Sequence, residues 1–242
     1  MSLISTPPPS TRLSRQTLLV DADDTLWENN IYFERAITAF ISYLDHQVHT
    51  AEEVREYLNA CERATIAAHG YGVQSFRRSL IDCFEHLSDL PITPERHARI
   101  VSFTDAIAAN EIELLSDVDT TLSDLQQRHR LIMVTKGNLL EQTDKLERSG
   151  LRPFFSAIEV LAEKHPAAYR DVAARHQCDP SSTWMIGNSP RSDINPAMAA
   201  GINAIFIPHD FTWVLEHEVV DSPTGDVQLM ELGSFAELLG YF

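Results

Sequence analysis

The first ordered signal along the chain is a short apolar run, Thr17-Leu18-Leu19-Val20, of the kind that forms a buried strand. It stops abruptly at Asp21-Ala22-Asp23-Asp24-Thr25. From Ile31 to about Ile112 the period becomes helical, with apolar residues at Ile37, Phe40, Ile41 and Leu44, at Val54, Leu58 and Cys61, and at Phe76, Leu80, Cys83, Phe84 and Leu87. Breaks at His69-Gly70-Tyr71-Gly72 and at Pro91-Ile92-Thr93-Pro94 divide this stretch into about four helices, the second proline suiting a first helical turn.

Beyond Leu115 strands and helices alternate. Strands are expected at Leu131–Thr135, Ala157–Leu161, Thr183–Gly187 and Ala204–Ile207. Helices are expected at Asp119–Arg128, Leu139–Ser149 (closed by Gly150), Pro166–His176 and Asp193–Ala200 (closed by Gly201). Residues Pro208–Gly233 have no clear period, and Phe235–Tyr241 suits a final short helix. Such alternation with short connections predicts an α/β fold, a doubly wound parallel sheet. One all-helical block interrupts it just after the first strand. The expected organisation is a core of residues 17–27 and 115–242, an inserted helical cap over 28–114, and a flexible N-terminal tail over 1–16 that carries Pro7-Pro8-Pro9.

Composition narrows the partners. Lys+Arg total 19 and Asp+Glu 35 in 242 residues, a net charge of −16, which argues against a nucleic-acid footprint. The three cysteines, Cys61, Cys83 and Cys178, are widely spaced, which excludes a disulfide framework or thiolate zinc site and suits a reducing compartment. No apolar run is long enough for a bilayer, and the N-terminal stretch has no continuous apolar segment of a secretory signal. A soluble cytoplasmic protein is the expectation, with no membrane partner. The sequence fixes no oligomeric state.

In an open parallel sheet, ligands bind at the carboxyl ends of the strands, near the point where strand order reverses. Those ends collect Asp21, Asp23, Asp24 and Thr25, then Thr135-Lys136-Gly137-Asn138, then Lys164, then Gly187-Asn188-Ser189 and Asp193. Crowded carboxylates repel one another unless a cation joins them, and an oxygen-only donor set suits Mg²⁺. The alternative for the aspartates is turn formation or helix capping, which Asp favours generally and which fits Asp193 in particular. Thr25, Thr135 and Lys164 likewise have ordinary structural readings as turn cap, strand-end hydroxyl and surface lysine.

This ordered set resembles the haloacid dehalogenase (HAD) superfamily of hydrolases, with four dispersed motifs and a helical C1-type cap inserted after the first. Leu18–Leu26 is similar to the first motif, Val134-Thr135 to the second, Lys164 to the third, and Ile186-Gly187-Asn188-Ser189 through Asp193 to the fourth. The resemblance implies that Asp21 is a nucleophile forming an aspartyl-phosphate and that Asp23 is the general acid and then base. It further implies Mg²⁺ held by Asp21, the main-chain carbonyl of Asp23, and Asn188 or Asp193. Thr135 would hold phosphate, and Lys164 would neutralise charge at the nucleophile.

Two positions depart from the pattern. The fourth motif usually opens Gly-Asp, and here it is Gly187-Asn188, one negative charge fewer. Lys136 follows the phosphate-binding hydroxyl directly, and it either contacts a leaving group or lies in solvent. In the cap, Tyr71 and Arg77 or Arg78 are candidates for substrate contact, against the plainer reading of a helix start with solvated arginines. His46, His49 and His69 show no metal spacing.

The resemblance thus implies a Mg²⁺-dependent phosphatase acting on a small phosphorylated metabolite. A 2-haloacid dehalogenase of the same fold is the alternative, disfavoured by Asp23, which an SN2 site would not need. A phosphonate hydrolase is disfavoured because the cap has no lysine. A phosphate-binding or interaction protein with impaired catalysis has Asn188 as its support.

Overall fold

A computed structural model describes residues 12–44 and 48–242. His46 and residues 1–11 lie outside the described residues. In chain order the elements are β1 (Thr17–Val20), α1 (Asn30–Leu44), α2 (Ala51–His69), α3 (Val73–Leu87) and α4 (Pro94–Ala109). There follow α5 (Val118–Leu125), β2 (Arg130–Lys136), α6 (Leu139–Ser149), β3 (Ala157–Leu161), α7 (Pro166–Arg175) and β4 (Thr183–Gly187). The chain continues through α8 (Asn195–Ala199), β5 (Asn203–Phe206) and β6 (Leu229–Glu231), with a 3₁₀ segment at Phe235–Gly240 where a final helix is expected. Two compact units result, Met1–Glu28 with Ile112–Phe242, and Asn29–Glu111.

The first unit is built on a parallel sheet of order β3-β2-β1-β4-β5-β6. β1 sits between β2 and β4, Val20 lying opposite Met133 on one side and Ile186 on the other. Leu18 and Val20 pack with Val118, Leu122 and Leu125 of α5, while Leu19 packs with Tyr169 and Val172 of α7 and Ala197 of α8. Both faces of β1 are covered by helices, and this is why its sequence is continuously apolar rather than alternating.

The chain leaves and re-enters this unit through two paired segments. Trp27 bridges Leu114 antiparallel, Glu28 N donates to Glu113 O, and Leu115 N donates to Leu26 O. That pairing places residues 112–114 in the α/β unit, three residues earlier than the expected boundary at 115. Of the tail expected over 1–16, residues 12–16 are described, and they are tied to the α/β unit. Leu13 N donates to Tyr241 O, and Gln16 is buried, its backbone N bonded to His129 Nδ1 at 3.1 Å and its Oε1 accepting from Trp184 Nε1 at 3.2 Å. Backbone and amide groups of this kind have no use for solvent once paired.

The second unit is helical throughout its described residues. Ile37, Phe40, Leu58, Leu80, Phe84, Ile100 and Phe103 form its core. Thr50 and Glu53 close a reciprocal capping box at the start of α2, and Thr93 caps α4 ahead of Pro94. One charged residue stands in the buried line of α2, beside Val54, Leu58 and Thr65. Glu62 is buried, and its Oε2 has no hydrogen-bond partner. Burial pushes its carboxyl up to about 7, with Arg55 and Arg63 pulling down and Glu34 adding to the rise.

A carboxyl raised in the fold is stable when protonated, so Glu62 costs stability progressively as pH rises from about 4.5 to about 7. Glu62→Gln should therefore stabilise the protein at pH 8, by up to about 3 kcal/mol, and have little effect at pH 4.5. Melting curves of the variant and the parent at both pH values test this. An equal effect at the two pH values would dismiss the titration of Glu62 as its cause.

Candidate active site

Three charged side chains meet at the carboxyl end of β1. Asp21 follows the strand directly, its N–H donating to Ile186 O, and it is buried together with Lys164 and Asp193. Lys164 Nζ donates to Asp21 Oδ1 at 2.5 Å and to Asp193 Oδ1 at 2.7 Å. Burial and the neighbouring Asp193 push the Asp21 carboxyl up to about 7, against the pull of Lys164. Burial disfavours the Lys164 ammonium, but Asp193 and Asp21 hold it well above the ordinary lysine value. One cation thus serves two carboxylates.

Asp193 is not a helix cap, the alternative reading of it. It lies in the π-helical turn Pro190–Ile194, and α8 begins only at Asn195. The extra residue in that turn carries the carboxylate back toward β4, where Oδ2 accepts from Ser189 N at 3.0 Å. Gly187 makes the approach possible: a Cβ there would sit 2.2 Å from Asp193 Oδ2. Thr25 Oγ1 lies 3.1 Å from Asp21 Oδ2 and 3.3 Å from Asn188 Oδ1. Asn188 Nδ2 donates to Thr212 Oγ1 at 3.0 Å, which turns its carbonyl oxygen toward Thr25.

Asp23 occupies a separate clamp. Its Oδ1 accepts from Trp27 Nε1 at 2.7 Å and from Lys145 Nζ at 2.8 Å, and its Oδ2 accepts from Gln142 Nε2 at 2.8 Å. Gln142 and Lys145 stand three apart on one face of α6. Gly137, at φ +141°, leads into that helix, and a Cβ there would crowd Gln142 Nε2 at 3.1 Å. Burial raises the Asp23 carboxyl, but the charge of Lys145 and the hydrogen bonds from Lys145, Gln142 and Trp27 outweigh it, leaving it below the usual range. The Asp23 carboxylate is held ionised.

The residues expected in the second motif divide. Thr135 is buried at the end of β2, its hydroxyl reaching only the Lys136 carbonyl at 3.4 Å. Lys136 does not lie in solvent: Nζ is ion-paired with Glu216 and donates to Ser192 Oγ at 2.8 Å. Asn138 caps α6, accepting from Leu140 N and Glu141 N.

A haloacid dehalogenase-like hydrolase model matches residues 16–201, well over half of the chain. The chain belongs to the haloacid dehalogenase-like hydrolases. It is 32% identical over 99 residues to the glyceraldehyde 3-phosphate phosphatase of Methanothermobacter thermautotrophicus, covering 38% of this chain and 44% of that enzyme. It is 28% identical over 96 residues to the N-acylneuraminate-9-phosphatase of Mus musculus, covering 38% and 39%. These alignments span less than half the length of either relative. A haloacid dehalogenase-like family hydrolase from Xanthomonas campestris superposes with a TM-score of 0.76 at 28% identity, over 93% of this chain and 92% of that one.

Membership of the haloacid dehalogenase-like hydrolases raises the question of a divalent cation, and the donor set fits one. Asp21, Asp193 and Asn188 supply oxygens only, and Lys164 leaves one carboxylate charge uncompensated. The Thr25 hydroxyl has one proton for two facing acceptors, so one of Asp21 Oδ2 and Asn188 Oδ1 always lacks a donor from it. Both Asp193 oxygens are already engaged, by Lys164 and Ser189 N. Asn188 is therefore the more open of the two candidate ligands.

In the helical unit, Arg77 is committed to Thr104 Oγ1 at 2.8 Å and to Asp105, bracing α3 against the residues of α4, and Tyr71 is half-buried in the loop before α3. Asp24, at φ +60°, brings its carboxylate together with Glu28 and His209, one ligand atom of each lying within 4.8 Å of the others. His209 faces Asp24 with Nδ1 at 3.9 Å and Glu28 with Nε2 at 3.3 Å, which ties the segment after β5 to the first-motif loop. No membrane-crossing helix occurs among the described residues. Sequence reading missed Lys145, Gln142 and Glu216. A hint lay in the scarcity of lysine, since each of the three lysines proves to be paired with a carboxylate.

Gly187→Ala should be costly, because Asp193 must move or the turn must open. A loss of about 1–3 kcal/mol is expected, read as a lowered melting temperature. An unchanged melting temperature would mean that Asp193 has room to spare.

Proposed function

We propose that the protein is a Mg²⁺-dependent phosphatase of a small phosphorylated metabolite, working through an aspartyl-phosphate on Asp21. The observation that carries this reading is the meeting of Asp21, Lys164 and Asp193, with the Asp23 carboxyl two residues beyond the nucleophile. In the first step an Asp21 oxygen attacks phosphorus and the bond from phosphorus to the alcohol oxygen breaks. Asp23 gives that oxygen a proton, then takes one from the water that attacks the acyl-phosphate, releasing inorganic phosphate and restoring Asp21.

Lys145 favours the base form of Asp23 between turnovers, and protonation for the first step loosens that pair. Lys164 stays charged beside the nucleophile and offsets the repulsion between a carboxylate and an anionic ester. Thr135, at the adjacent strand end, would hold a phosphate oxygen. Bound at Asp21, the Asp23 carbonyl and Asn188, Mg²⁺ would supply Lewis-acid neutralisation of the phosphoryl group. Phosphatases of glyceraldehyde 3-phosphate and N-acylneuraminate 9-phosphate among the relatives support a small phosphorylated substrate. Three free thiols fit a cytoplasmic setting.

The experiment is phosphate release from p-nitrophenyl phosphate with Mg²⁺ and with EDTA, run beside halide release from 2-chloropropionate. Phosphate release that needs Mg²⁺, lost in Asp21→Asn and reduced on the order of 10²–10³-fold in Lys164→Ala, is expected. Halide release without metal would transfer the protein to the dehalogenases, and neither product would leave a binding role.

A further inference from the structure

The segment that follows β5 has no period in the sequence, yet it is fastened along the fourth-motif loop. Asn188 Nδ2 donates to Thr212 Oγ1, Arg191 donates to Leu215 O at 3.1 Å, and Asn195 Nδ2 donates to Val219 O at 2.8 Å. Asp221 N returns a bond to Asn195 Oδ1 at 2.9 Å. In the middle of this strap stands Glu216, a buried carboxylate at the end of the single 3₁₀ turn Val214–Glu216.

Glu216 touches both motif ends at once. One oxygen pairs with Lys136 Nζ, and the other accepts from Ser189 Oγ at 2.6 Å. Ser189 Oγ in turn accepts from Ser192 N at 2.9 Å, and Ser189 N holds Asp193 Oδ2. A continuous polar path therefore runs from Glu216 through Ser189, Asp193 and Lys164 to Asp21. Lys136 has other acceptors in Ser192 Oγ and, at 3.6 Å, the half-exposed Glu163, but Glu216 is its buried counter-charge. A buried ion pair left with one partner exposes its surroundings to an uncompensated charge.

We propose that Glu216 is a positioning residue for the phosphatase site: it fixes Ser189, and through it Asp193, and it cancels the Lys136 charge beside the metal ligands. This rests on the reading above that Asp21 and Asn188 hold Mg²⁺. Removing the Glu216 charge leaves the region one unit more positive and weakens cation binding. Removing the Lys136 charge leaves it one unit more negative and strengthens it. A purely structural pair would weaken binding in both cases.

The test is Mg²⁺ titration of the full chain by calorimetry, without substrate, for Glu216→Gln, Lys136→Met and the double variant, with kcat and KM for p-nitrophenyl phosphate measured alongside. Glu216→Gln should raise the Mg²⁺ Kd about tenfold and lower kcat more than it raises KM. Lys136→Met should lower the Kd, and the double variant should return to within about threefold of the parent. Single variants that shift the Kd in the same direction, or a double variant no better than Glu216→Gln, would overturn the proposal, as would a parent that binds no Mg²⁺. A parent that binds Mg²⁺ with these opposed shifts but releases no phosphate would uphold the role of Glu216 and refute the phosphatase reading.

Discussion

Two carboxylates and one ammonium share a space closed to water, and much of the α/β unit is shaped so that they can. Taking such ions out of water costs several kcal/mol each unless every lone pair and proton finds a partner. Lys164 answers both aspartates, and Ser189 N and the Thr25 hydroxyl answer the oxygens it leaves. The compensation remains incomplete, which is why the Asp21 carboxyl is driven up to about 7. Gly187 contributes by having no side chain, and the π-helical turn by containing one residue more than an α-turn, so that Asp193 folds back onto β4. A parallel sheet with β1 at its centre supplies the geometry: residues that leave neighbouring strand ends are brought close without long loops.

Asp23 is governed by a different economy of charge. It lies two residues from Asp21 but faces Lys145, Gln142 and Trp27 rather than Lys164. The same motif therefore holds one carboxyl raised by crowding and another lowered by a private counter-ion. Lys145 suits Asp23 to the base half of its proposed role, and a cation beside Asp21 would favour the ionised form that an attacking group needs. Were the two to share a single lysine, each would compete for the same compensation, and the difference between them would shrink.

What the sequence made legible follows from how locally each feature is encoded. β1, β2 and β4 are buried on both faces and read as unbroken apolar runs. β6 escapes notice because it is three residues long, at the sheet edge, with Glu231 exposed, too short to show a period. The strand-end residues Asp21, Lys164 and Asp193 do converge, since a strand terminus is a position that sequence can mark. Lys145 reads as an ordinary charged position of an amphipathic helix, because its partner Asp23 is 122 residues away in sequence. Glu216 sits in a stretch without period, and its pairing with Lys136 exists only once β2 and the segment after β5 are side by side. Arg77, an arginine near a glycine loop, suggests a ligand in the sequence, and its visible partners are Thr104 and Asp105, which join α3 to α4.

Asn188 is the position where sequence pattern and site chemistry pull hardest in different directions, and its surroundings explain the amide. Its Nδ2 donates to Thr212 Oγ1, and the Thr212 hydroxyl proton is itself given to the His209 carbonyl at 2.9 Å. A carboxylate at 188 would turn a lone pair toward an oxygen with no proton left to offer, at the cost of an unpaired buried acceptor, about 1–3 kcal/mol. It would also bring a third carboxylate to a site where Lys164 already divides itself between two. The amide avoids both penalties while keeping an oxygen directed at Thr25 and Asp21. Asn188 is thus matched to Thr212, His209 and the charge of its neighbours.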